Sequence, residues 1–457
     1  MKKTNVDMLS GPITKGLLSL SIPIMVMNVM QSLFNIIDMT ALRFFADDSA
    51  VGAVGACGTL ITLCTSLLIG LSAGANVVVA KRIGAKERER ADRAVMTALL
   101  VSITGGLLLA VIGVSFAEIF LKLINCPESL LAKSTSYFRI YFLGLPILMF
   151  YNFCASILRA TGDTKKPMYF LILAGIIKVV FSVLLLASFD VSVEGVAIAT
   201  IISQLVASIL AFRAILKSKD IISVNFKEIK FDITELKEML FIGIPAGMQS
   251  ALYSFANVII TKTVNSFGAD ATTGISIANQ FDGLLYQISC APALATIPFV
   301  AQNIGAGNIK RVKQTLTRAV LITTTFGGVF GAFSAIFSPQ LSSIMSSSPS
   351  VIAYSCQKMI IISSTYFICG INEVMGGVLK GMGKPIFPTV STLIFMCAIR
   401  FPWVYFIFPL YPNLTFLYLI WPIGWILSIL TLTIVYLFAI KNLQNINFKR
   451  RTAEQTA

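Results

Sequence analysis

Six ionisable side chains stand inside long apolar stretches of this chain: Asp38, Lys178, Lys262, Asp282, Glu373 and Arg400. A charge at bilayer depth is costly enough that such a residue is first read as a partner for an ion, a proton or another charge. Asp38 stands fifteen residues after Pro23, about 22 Å along a helix rising ~1.5 Å per residue. That places it in the outer part of a first span, where it is either a coupling carboxylate or a helix-end cap. Ala41 and Leu42 still follow it, and Asn35 lies three residues earlier on the same face. Lys178 is better centred, within Ala174-Gly-Ile-Ile-Lys178-Val-Val-Phe-Ser182. It requires an acid or a wet cavity, and Asp38 is the acid available within its own half. Arg400 occupies the matching position of the second half, 222 residues later, with Glu373 as its expected partner. For Lys262 and Asp282, nearer the outer ends of their helices, snorkelling is the simpler account.

The elements that must hold these groups are membrane helices. Hydrophobic residues make up 56% of the 457 and charged residues 12%, far from the roughly 25% charged of a soluble domain. Twelve apolar stretches of bilayer-crossing length, on the order of 20 residues, fall near 17–42, 52–80, 94–122, 137–158, 168–189, 194–216, 240–266, 272–300, 319–341, 353–379, 386–409 and 417–440. The expected fold is therefore an all-α polytopic membrane protein of twelve transmembrane helices. The chain also repeats itself. Val79-Ala80-Lys81-Arg82-Ile83-Gly84-Ala85 returns as Val300-Ala301-Gln302-Asn303-Ile304-Gly305-Ala306, and Leu158 through Gly162 to Pro167 returns as Leu379 through Gly383 to Pro388, both at an offset of 221. Pro23 and Pro245, and Pro127 and Pro349, match at 222, so all the matched positions stay within one residue of a single offset. Six spans per copy is an even number, so the halves enter the membrane alike as parallel repeats, the layout of a secondary transporter. The expected domains are a six-helix lobe at 1–216, a linker at 217–239 and a six-helix lobe at 240–457. Pro23 and Pro245, inside the first helix of each half, are candidate hinges or merely tolerated bends.

The formal net charge of +15 would suggest nucleic acid in a soluble protein. Here 28 of the 36 basic residues cluster on alternate turns, which puts the termini and those loops in the cytoplasm of a cell whose inner membrane the chain crosses. With no basic face on a soluble fold, nucleic acid is not expected as a partner. Histidine is absent and the eight cysteines form no CxxC pair, so neither a metal centre nor a cofactor is expected, and the cysteines read as packing residues. No Walker loop is present, which leaves transport in this chain without its own ATP chemistry. Nothing resembles an enzyme.

The run Leu20-Ser-Ile-Pro23 through Gln31-Ser-Leu-Phe-Asn35 to Asp38, then Arg159-Ala-Thr-Gly162-Asp163-Thr164, Val193-Glu-Gly195 to Thr200, Ile244-Pro245-Ala-Gly247 and Gln302-Asn-Ile-Gly305-Ala306-Gly307, resembles the multidrug and toxic compound extrusion (MATE) transporters of prokaryotes. The resemblance implies two six-helix lobes in a V around a cleft, exporting organic, cationic or amphipathic drug-like compounds in exchange for H⁺ or Na⁺, as a monomer. It places Asp38 at the coupling acid of the first helix. A family cation site of Asn and Asp on the fifth helix and Thr on the sixth falls on Lys178, Ser182 and Thr200, the first two being departures that put sodium coupling there in doubt. Another branch of the family carries its acids in the second lobe, where Asp282 and Glu373 are approximate counterparts. A lipid-linked oligosaccharide flippase of the same superfamily and a non-transporting receptor or scaffold are the rival readings.

Overall fold

A computed structural model describes residues 5–45, 48–124, 126–188, 193–218 and 231–456. In the first half α1 (Ile13–Phe45), α2 (Asp48–Gly84) and α3 (Arg88–Leu123) precede a pair, α4 (Glu128–Leu143) and α5 (Leu145–Ala160), followed by α6 (Lys165–Ser188) and α7 (Val193–Lys217). In the second, α8 (Ile233–Asn265), α9 (Ala269–Gly305), α10 (Ile309–Ile336) and the short α11 (Ser338–Ser343) lead to the pair α12 (Pro349–Ser364) and α13 (Tyr366–Gly381). A broken span then runs through α14 (Ile386–Thr392), Leu393–Ala398, α15 (Arg400–Pro402) and Trp403–Ile407, before α16 (Leu414–Tyr418) and α17 (Ile420–Thr456). Among the described residues nine helices are long and apolar enough to cross a bilayer, and each bent pair adds one, giving eleven. The twelfth is α8, whose 33 residues reach about 50 Å.

The internal repeat is carried by the backbone. Helices α2 and α9 are each 37 residues long, and the paired helices bend by 45° in the first half and 47° in the second. The loops that close α5 and α13 both place a glycine at positive φ, Gly162 at 88° and Gly383 at 73°, where a side chain would be strained. The offset of 221 at Pro167 and Pro388 becomes 222 at Lys178 and Arg400, and the extra residue has a place: Ile399 N–H donates to Ile394 O at 3.0 Å, an i→i+5 bond. One inserted residue is absorbed as a π turn, while its counterpart α6 runs unbroken.

The chain packs as two compact units, one of Met1–Val6 with Val26–Gly247, the other of Asp7–Met25 with Met248–Ala457. The leading part of α1 thus belongs to the second unit and that of α8 to the first, the change falling just after Pro23 and Pro245. Both helices run through their prolines without interruption. In the first unit α8 approaches α2 at glycines: a Cβ on Gly70 would sit 2.1 Å from Gly247 N, and one on Gly74 would sit 2.2 Å from Met239 O. This is the close approach that small-xxx-small spacing permits.

The start of α8 is anchored by charge. Asp232 caps it, accepting from the N–H groups of Thr234 at 2.8 Å and Glu235 at 3.3 Å, as an N-cap aspartate does. Burial, which would raise the Asp232 pKa, is outweighed by those bonds and by Arg93, and its carboxyl is held below the usual range. Glu235, with no exposed side-chain surface, pairs with Arg82 at 3.1 Å and Arg90 at 3.1 Å, and Glu238 pairs with Lys81 at 2.6 Å and Arg82 at 3.0 Å. The expected linker at 217–239 is therefore shorter at its end, since Asp232 and Glu235 supply a cap and a buried acid to a helix already begun at Ile233; residues 219–230 lie outside the described residues. In the second unit the equivalent anchor holds main chain. Arg311, 221 residues after Arg90, donates to Met8 O at 3.1 Å and Gly11 O at 2.7 Å, and Asn303 donates to Met8 O at 3.0 Å.

Candidate functional site

In the first unit the candidate residues sit on three helices. Helices α6 and α7 pack side by side, and α1 meets α6 where a Cβ on Gly175 would fall 1.8 Å from the Phe34 ring. Phe34 lies four residues before Asp38 and Gly175 three before Lys178. The first and fifth spans cross the bilayer in the same direction, so each residue lies about one turn beyond that contact, at similar depth. The side chains of Asn35 and Asp38 themselves are outside the described residues. Lys178 is half-buried, and one turn on, Ser182 is buried with no hydrogen-bond partner for its Oγ. Thr200 donates back to Val196 O at 2.9 Å on its own helix, leaving its oxygen able to accept.

The second unit holds a denser polar cluster. Asp282 on α9 pairs with Lys358 on α12 at 2.7 Å, and its other oxygen, Oδ1, is buried without a partner. Lys358 also donates to Asn279 Oδ1, and its Nζ lies 6.0 Å from the Trp421 ring centroid. Arg400 donates to Asn257 Oδ1 at 2.7 Å and stacks its guanidinium 4.9 Å from the same ring, within cation–π range. Glu373 accepts from the Tyr253 hydroxyl at 3.3 Å.

Two expectations are corrected here, and one residue is added. Asp282 does not snorkel; it is 9% exposed and engaged by a lysine. Arg400 does not pair with Glu373: among the described residues no ion pair joins them, and each has taken a neutral partner, Asn257 and Tyr253. Lys358, not among the six candidates read from the sequence, is 4% exposed and central to the cluster. Its seat in the apolar run Lys358-Met-Ile-Ile-Ile-Ser-Ser was the available signal. Lys262, by contrast, is exposed near the end of α8, as snorkelling requires.

The comparisons with known proteins follow the same duplication. The MatE family profile matches this chain twice, over residues 23–184 and 245–406. The chain belongs to the MatE family. Among curated relatives it is 28% identical over 432 residues to the probable multidrug resistance protein YoeA of Bacillus subtilis, covering 93% of each chain. It is 25% identical to the FAD transporter of Shewanella oneidensis, covering 88% of this chain and 89% of that one. An outward-facing multidrug resistance MATE family transporter of the MOP superfamily superposes with a TM-score of 0.89 at 20% identity, covering 97% of this chain and 100% of that chain. A MOP superfamily transporter from Pyrococcus furiosus superposes with a TM-score of 0.87 at 21% identity, covering 98% and 99%. MATE proteins are multi-span membrane transporters, and the twelve-helix, two-unit architecture of this chain is the MATE fold.

Proposed function

We propose that this chain is a secondary active antiporter that exports organic, cationic or amphipathic compounds in exchange for inward H⁺, with both termini and the basic loops cytoplasmic. Asp38 binds the coupling proton. Lys178 is the internal cation that pairs with it in one state of the cycle, flanked by the hydroxyls of Ser182 and Thr200. The observation that carries this reading is the contact of α1 with α6 at Phe34 and Gly175, which sets Asp38 and Lys178 at similar depth on touching helices. Membership of the family supports transport, and relatives named for multidrug resistance support drug export.

The mechanism follows from electrostatics. A carboxyl in a partly desolvated site is pushed towards its neutral form by burial and towards its charged form by a nearby cation. Separating an ammonium from its carboxylate in such a site is costly, so the pair opens when Asp38 is protonated or when a cationic cargo displaces the lysine. Proton entry and drug exit are thereby linked through one carboxylate.

Export by Asp38→Asn and Lys178→Asn in inverted vesicles tests it. Asp38→Asn inserts normally and loses gradient-driven export; Lys178→Asn transports with weakened dependence on the pH gradient. Undiminished export by Asp38→Asn removes this carboxylate from the mechanism.

A further inference from the structure

The exposed surface of the spans is not uniform. Along α6 it consists of Tyr169, Leu173, Ile176, Val180, Phe181 and Leu184, the apolar face that lipid demands. Along the first half of α9, between positions 276 and 286, the exposed residues are Ser276, Asn279, Gln280, Gly283 and Tyr286, one helix face by their spacing, with apolar Leu294 the next exposed residue. Asn257 of α8 is exposed as well. Polar groups at membrane depth face a bundle interior or a wet cavity rather than hydrocarbon, so this face of the second unit meets water.

Immediately behind it lie two buried cations. Lys358 is 4% exposed and Arg400 2% exposed. Each reaches the wet face through an exposed amide: Lys358 donates to Asn279 Oδ1 and Arg400 to Asn257 Oδ1. Asp282 pairs with the lysine, and among the described residues no carboxylate pairs with the arginine. Around Trp421, therefore, two cations stand against one carboxylate, Asp282, while Glu373 is held by the Tyr253 hydroxyl and neutral amide oxygens occupy the sites nearest water. Arginine presents a planar fork that matches a carboxylate or phosphate, and an anion binds it more strongly than an amide oxygen does. The face also has room for a ring. A Cβ on Gly283 would meet nothing within 4 Å, and Tyr286, 37% exposed, lies two turns along α9 from Asn279.

We infer that the second unit contains a binding site for an aromatic organic anion, whose carboxylate or phosphate displaces the Asn257 and Asn279 amide oxygens to engage Arg400 and Lys358 while its ring lies along Gly283 and Tyr286. This widens the cargo of the proposed transporter beyond cations. The site is read by equilibrium binding without any gradient, so its fate is separable from that of the antiport mechanism.

The test is isothermal titration calorimetry on the full chain in phosphatidylcholine nanodiscs, with three probes that share one ring system: 1-naphthoate, 1-naphthamide and 1-naphthylmethylammonium. Naphthoate is expected to bind at least about tenfold more tightly than either of the others. Arg400→Gln weakens naphthoate binding by at least about tenfold. Should that variant fold poorly, Asn257→Asp supplies the decisive case, because it places a carboxylate permanently against Arg400, adds an ion pair to the fold, and is expected to abolish naphthoate binding. Equal binding of naphthoate and naphthamide, or undiminished binding by Asn257→Asp, overturns the proposal. Naphthoate affinity is expected to be unchanged in discs containing phosphatidylglycerol; its loss there would assign the site to a lipid headgroup and overturn the organic-anion reading.

Discussion

The two units share most of their backbone and differ in their polar contacts. At matching positions the first unit has Lys178 on an unbroken α6, and the second has Arg400 beside a π turn, stacked on Trp421. At the leading end of each unit's borrowed helix, Arg90 meets the buried Glu235 while Arg311 meets the carbonyls of Met8 and Gly11. Duplication kept the lengths of α2 and α9, the bends of the paired helices and the glycine turns that close α5 and α13, because these depend on main-chain geometry and close approach. It left side-chain pairing free to diverge, because a helix tolerates either an ionic or a main-chain anchor provided every buried group finds a partner.

The contrast between the anchors yields the largest predicted effect. Glu235→Ala removes the fully buried carboxylate that Arg82 and Arg90 share, leaving Arg82 to Glu238, and should cost about 3 kcal/mol, read as a large fall in thermal unfolding temperature in detergent. Arg311→Ala removes hydrogen bonds to carbonyls and should cost only about 1–3 kcal/mol. Equal losses would mean that the two anchors are energetically alike.

Within the second unit, Asp282→Asn should cost about 2–3 kcal/mol. Lys358→Met should cost a similar amount, and the double variant less than their sum, since the pair at 2.7 Å couples the two sites. Strict additivity would show that the ion pair contributes nothing. A steric contrast is next in size. Gly70→Ala forces a Cβ against Gly247 N and should cost about 1–3 kcal/mol, whereas Gly328→Ala, whose added carbon meets nothing within 4 Å, should be tolerated.

The smallest effect concerns one turn present in both halves. Lys86 adopts a φ of 59° where its counterpart Gly307 has 69°. Replacing Lys86 by glycine should stabilise the fold by up to about 1–2 kcal/mol, the left-handed penalty it relieves, less the entropy glycine loses on folding. Gly307→Ala should do the reverse, and a stabilising Gly307→Ala would refute the symmetry of the turn.

Much of this architecture was legible in the chain. The spans follow from hydropathy, and the matched motifs at 221 placed glycine turns and helix ends that the structure reproduces at Gly162 and Gly383. The bends at Gly144 and Thr365 were not legible: α5 carries Pro146 at its second position while α13 begins Tyr366-Phe367 without a proline, so no shared local signal marks them. The Asp282–Lys358 pair escaped as well. It depends on how α9 and α12 are rotated against one another, and single-sequence hydropathy contains no register between helices. Glu235 and Glu238 looked like solvated linker charges because their arginine partners lie about 150 residues earlier. The anchor exists only after the chain has folded back.

The central claim is proton-coupled antiport, and gradient-driven uptake into proteoliposomes tests it most directly, using a fluorescent aromatic cation with either a pH gradient or a Na⁺ gradient imposed. The account predicts that the pH gradient alone drives accumulation and that Asp38→Asn abolishes it. Accumulation driven by Na⁺ and indifferent to the pH gradient would contradict it.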